Sequence, residues 1–141
     1  MNRFSLQCLC RGKRKDNEEW IEGYYIADPF AGDKSKTYIC LYSEISQKSE
    51  LYEVYPKSVG RIAVVPDQDR EALFEGDIID GKIRVCYFNH FVIAFDESSS
   101  SFVVTNGRSK YNLSKDFEYT VVGNAFDLMR EKEKENGYKK I

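Results

Sequence analysis

The sequence is short of the residues that most chemistry needs. It holds one histidine, so any histidine-based triad or general base would have to use His90. No G-x-S-x-G elbow, no phosphate-binding P-loop and no G-x-G-x-x-G is present. The four cysteines are Cys8, Cys10, Cys40 and Cys86, a C-x-C pair with two distant singles, which is not the spacing of a zinc quartet. Asp67, Asp69 and Glu71 alternate like the start of a calcium loop, but Ala72 and Ile78 stand where that loop needs Gly and Glu. These absences predict no metal, no cofactor and no enzyme. There is no basic excess either: 21 Lys and Arg against 23 Asp and Glu leave a net charge of -2, too little for a protein held to nucleic acid by bulk charge. No apolar run nears the roughly 18 residues that span a bilayer, and the first residues, MNRFSLQCLCRGKRK, reverse the order of a signal peptide. No membrane is therefore expected, and a cytoplasmic setting with reduced, buried thiols is.

What is abundant is aromatic. Ten Tyr, nine Phe and one Trp among 141 residues favour strands over helices. Residues 4–10 alternate, with Phe4, Leu6, Cys8 and Cys10 on one face. Residues 11–17, RGKRKDN, read as a polar hairpin connection, and EEWIEGYYIA as a second strand with Gly23 as a bulge. Residues 37–42 and 51–55 continue the strand pattern until Pro56 stops it. In the second half, residues 82–88 and 91–96 read as a hairpin joined by Asn89-His90, and Asn106-Gly107 as a turn. The end is helical over about 124–136: Asn124 as N-cap, Asp127 in the first turn, Ala125, Leu128 and Met129 as a docking stripe, and Gly137 as the stop. Short strands at this spacing suggest a small barrel or sandwich.

Three readings of individual residues follow. Arg11, Lys13, Arg14 and Lys15 give four positive charges within five residues, a speculative binding cluster on a solvated hairpin. Trp20 and Phe74 are expected to be buried rings. Glu75 and Asp77 flank Gly76, which allows a turn with positive φ, and both read as carboxylates that fix that turn. The strand at 37–42 carries few charges, so a homo-oligomer covering its edge is also expected.

Four blocks together resemble the YopX family of phage and prophage proteins. RGKRKDNEEWIEGYY at 11–25 is similar to that family's R-G-K-R-x-D-N-G-E-W-x-E-G opening, with Glu18 where Gly is usual. VYPKSVGR at 54–61 resembles V-x-P-x-T-V-G-Q, keeping Pro56 and Gly60, with Ser58 for Thr and Arg61 for Gln. FEGDII at 74–79 follows, with Leu73 for Ile, and EYTVVGNAFD at 118–127 resembles E-V-I-G-N-I-Y-D. Between the second and third blocks, Ile62, Ala63, Val64 and Val65 replace the family's Y-T-G-L, and PDQDR replaces K-D-K-N-G. The resemblance implies a mainly β fold: an SH3-like barrel at 55–123, a β-rich N-terminal portion at 1–54 packed on it, and a C-terminal helix and tail at 124–141. It implies a bacterial host and no catalytic residues. The function expected is a non-enzymatic module with a protein partner, nucleic acid being the alternative through the 11–15 cluster.

Overall fold

A computed structural model describes residues 9–27, 36–43, 45–113 and 117–139. The chain is mainly β and forms two compact units, the first ending at Phe74 and the second beginning at Glu75. Each unit has its own antiparallel sheet, and neither sheet is closed.

In the first unit the strands are β1 (Cys10–Lys13), β2 (Trp20–Ala27), β3 (Thr37–Ser43), β4 (Lys48–Val54), β5 (Gly60–Val64) and β6 (Leu73–Phe74). They lie in the order β4-β3-β2-β1-β5-β6. β2 and β3 are rich in the β-branched and aromatic side chains that fit a pleated, half-buried surface. Cys10, Ile39 and Val54 form a core cluster against which Ile21 and Val59 pack. The division between units falls at 74/75 and not at the expected 54/55, because β5 pairs with β1 and β6 with β5, which makes residues 60–74 part of the first sheet. The expected strand at 4–8, with Phe4, Leu6 and Cys8, lies outside the described residues.

Three expectations for this unit need correction. Arg11, Gly12 and Lys13 are strand, not hairpin loop, since Arg11 pairs with Glu22 and Lys13 with Trp20. Gly23 is not a bulge. The β1–β2 register reaches it without a shift, Gly23 facing Cys10, and a Cβ there would lie 2.4 Å from the Cys40 carbonyl oxygen. The strand at 37–42 offers no open edge, because β3 is paired on one side to β2 and on the other to β4. β4 takes the edge position instead, with Lys48, Glu50 and Glu53 along it, charges that discourage edge-to-edge pairing.

The second unit contains β7 (Asp77–Ile83), β8 (Cys86–Asp96), β9 (Ser101–Thr105), β10 (Lys110–Asn112), β11 (Phe117–Asn124) and the helix α1 (Ala125–Lys139). The order is β10-β9-β8-β7-β11. Ile79, Ile93 and Val104 are buried, and Phe88 stacks on Phe117 with ring centroids 5.5 Å apart. The expected Asn89-His90 turn is a bulge inside β8. Ile79 faces Phe91 and Gly81 faces Phe88, so Asn89 and His90 together oppose Asp80. His90 does take positive φ (59°), and its N–H donates to the Asp80 carboxylate at 2.8 Å. The chain reverses at Arg84 and Val85 instead, with Arg84 at φ 55°.

Gly76 fastens the helix to this sheet. At φ 92° its N–H donates to the Ile93 carbonyl at 2.9 Å, and its carbonyl accepts the Ala125 N–H at 2.7 Å. Asn124 is the N-cap: its Oδ1 accepts from the Phe126 N–H at 2.9 Å and the Asp127 N–H at 3.3 Å. The side chain that docks is Phe126, whereas Leu128 and Met129 are exposed. Gly137 lies within α1, since glycine weakens a helix by about 1 kcal/mol without forcing it to stop. Asn124→Ala should cost about 1 kcal/mol, read as a lower melting temperature of the helix and second sheet.

Asp96, at the end of β8, accepts hydroxyl hydrogen bonds from Ser99 at 2.7 Å and Ser98 at 3.0 Å, with Lys110 at 3.3 Å. These donors favour the carboxylate and hold its pKa down at about 2. A lowered folded-state pKa stabilises the fold above the ordinary value near 3.8. That stabilisation fades as pH falls through the window from there to about 2. Ser99→Ala should return the Asp96 titration toward the ordinary carboxylate range, followed by carboxyl-carbon NMR.

Candidate functional site

The residues singled out by sequence fall into two groups, one in each unit. The Lys13 N–H donates to the Ser58 hydroxyl at 2.8 Å, and that hydroxyl donates to the Tyr55 carbonyl at 2.6 Å. Pro56 starts the 3₁₀ turn (Pro56–Ser58) that presents Ser58, and Gly60 opens β5 opposite Arg11. The Arg11 guanidinium sits 4.6 Å from the Trp20 ring centroid and 4.8 Å from that of Phe74, so one cation is flanked by two rings. Phe74 is 2% exposed, as expected. Trp20 is only half-buried; it lies opposite Lys13, whose ammonium is 5.8 Å from its ring.

The other cations of the cluster are also engaged. Arg14 pairs with Asp16 at 2.5 Å and lies 4.3 Å from the Tyr52 ring centroid. That hydrogen bond raises the Arg14 pKa and lowers that of Asp16. Lys15 pairs with Glu53 at 2.9 Å. Glu75 is half-buried and Asp77 is 1% exposed, with its backbone paired to Asn124. The blocks at 11–25, 54–61 and Phe74 thus meet in the first unit, and those at 75–79 and 118–127 in the second.

His90 sits on the surface. Its side chain is 75% exposed and its Nδ1 lies 3.5 Å from Asp80. Of the cysteines, Cys10 is buried, Cys40 is half-buried and Cys86 is exposed, against the expectation of burial. The reason for Cys86 is positional: it follows the Arg84–Val85 reversal directly, where the sheet has no further strand to cover it.

That reversal borders an apolar cleft of about 370 Å³, lined by Ile83, Arg84, Val85, Cys86, Phe88, Tyr111 and Asn112. Ile83, Cys86, Phe88 and Tyr111 fall on one face of the sheet by register, since Ile83 faces Cys86 and Gly81 faces Phe88. The aromatic floor is braced by its neighbours. Phe88 lies 5.0 Å from Phe91, and Phe91 stacks on Tyr111 at 6.2 Å. Val85 is 85% exposed at the rim, although a valine gains from burial. A rigid ring floor with apolar groups left in water has the character of a contact surface. Sequence reading missed this site because residues 82–88 look like one unbroken strand, and neither Arg84 nor Val85 has a turn preference to mark the reversal.

Compared with protein-family models, curated proteins and solved structures, the chain matches none.

Proposed function

We propose that the chain is a non-enzymatic protein-interaction module, a phage or prophage accessory protein of the YopX kind acting in a bacterial host cell. The observation that carries this reading is the open apolar cleft beside Arg84 and Val85. Its volume falls in the range of binding pockets, and burying its exposed apolar area against a partner would release water that now covers it. We also read the second unit as SH3-like in strand order, with its sheet left open. The support is its strand order, in which successive hairpins form a meander and the last strand, β11, returns to pair with the first, β7. Fold analogy alone assigns no function, so the weight rests on the cleft.

Nucleic-acid binding through Arg11, Lys13, Arg14 and Lys15 has less support. Two of these cations are neutralised by Asp16 and Glu53, and Arg11 is held between rings. Affinity capture from nuclease-treated host lysate, using the wild-type chain and Val85→Asp, tests the proposal. Retention of a specific protein by the wild type and its loss from the variant, at equal melting temperature, is the expected result. Recovery of nucleic acid alone from untreated lysate, released at about 0.2–0.3 M salt, would overturn it.

A further inference from the structure

Resting on the reading of the cleft as a protein-binding site, we infer the chemistry of its occupant: an extended segment of another protein that presents an acidic side chain beside an apolar one, with Arg84 receiving the carboxylate. Charge is the first argument. The lining contains one charged residue, Arg84, and no Asp or Glu. Arg14, Lys15 and Lys110 are matched by Asp16, Glu53 and Asp96. Arg84 makes no hydrogen bond or ion pair among the described residues. It is exposed on the two-residue reversal, where its planar fork can meet a carboxylate with two parallel hydrogen bonds.

The second argument is the shape of the site. Tyr111 and Asn112 line the cleft and also belong to β10, an end strand of its sheet whose three residues are all exposed. β10 pairs with β9 alone among the described residues, so within them its other side has backbone donors and acceptors without a strand partner. An extended segment can add to such an edge, with main-chain hydrogen bonds giving affinity and alternate side chains entering the neighbouring pocket. Side chains two apart on that segment share a face, so one can reach the Phe88–Tyr111 floor while a neighbour stays at the rim near Arg84. The acidic group supplies selectivity, and the apolar group supplies most of the affinity.

The experiment is selection of a phage-displayed random dodecapeptide library on the immobilised full chain, with wild type, Arg84→Asn, Arg84→Glu and Val85→Asp in parallel. Asn tolerates the positive φ of this position, so Arg84→Asn removes the charge without strain. Wild type should enrich sequences with Asp or Glu next to Leu, Ile, Val or Phe. Arg84→Asn should bind a selected peptide about 3–5-fold more weakly, as expected for an exposed ion pair, and Arg84→Glu should turn the preference toward Lys or Arg. Enrichment of apolar peptides without an acidic bias, or a bias that Arg84→Glu leaves unchanged, would overturn the inference and leave the binding-module reading standing. Enrichment no greater on wild type than on Val85→Asp would overturn both.

Discussion

Phe74→Ala should cost about 3–5 kcal/mol of the stability of the first unit, a large share of what a domain of this size holds in reserve. The ring is 2% exposed, so the substitution removes buried area and leaves a cavity that Leu73 and Ile62 cannot fill without moving the β5–β6 pairing. It also removes one of the two rings that flank the Arg11 guanidinium. Phe74→Leu keeps much of the volume and should lose about 1–1.5 kcal/mol. The measurement is clean because Trp20 is the single tryptophan and lies in the first unit. Its fluorescence during urea unfolding therefore follows that unit and not the second. A cost for Phe74→Ala below that of Phe74→Leu would show that the ring is not what the sheet is built around.

Gly23→Ala is the other substitution with a severe expected effect, roughly 2–4 kcal/mol. The added methyl would stand 2.4 Å from the Cys40 carbonyl oxygen, 2.7 Å from Ile39 Cγ2 and 2.9 Å from Leu41 Cδ2. The nearest of these atoms is backbone, so β2 and β3 would have to part rather than a side chain swing away. Gly107→Ala is the matched control. It has positive φ but nothing within 4 Å of the added methyl, so it should cost only about 1 kcal/mol of conformational strain. Equal losses at the two positions would rule out the steric account of Gly23.

Much of this architecture could be read from residue order, and the reasons are local. The aromatic and β-branched runs at 20–27, 37–43 and 91–96 are strands because such side chains fit a pleat. Asn124 caps the helix and Asp127 follows in its first turn because capping is decided within four residues. What could not be read depends on distant partners or on residues without a turn preference. Arg84 and Val85 are neither Asn nor Gly, so nothing in their chemistry announces a reversal, while Asn89-His90 does carry such a signal and is used for a bulge. The basic run 11–15 looked like a surface cluster. Its tie to Ser58, Glu53 and Phe74 joins parts of the chain that no local pattern connects. The cleft is hidden for the same reason, since Tyr111 reaches the site only through β9 and β8.

The two sheets are assembled in the same way, a run of hairpins closed by a strand that returns to the first, and this order has a kinetic consequence. In the second unit β7, β8 and β9 each pair with the strand that follows and can zip from one hairpin to the next with short loop closures, after which β11 returns to β7, residue 124 meeting residue 77. In the first unit β1 must wait for β5, residue 11 meeting residue 60, before Phe74 has a surface to settle on. A contact between such distant positions restricts the chain before it is rewarded by burial, which slows the search. A chain emerging residue by residue therefore makes its early strands first but completes their sheet only once β5 and β6 exist. Until then β1 carries an unfilled edge, and Arg11 lacks the Phe74 ring that will flank it.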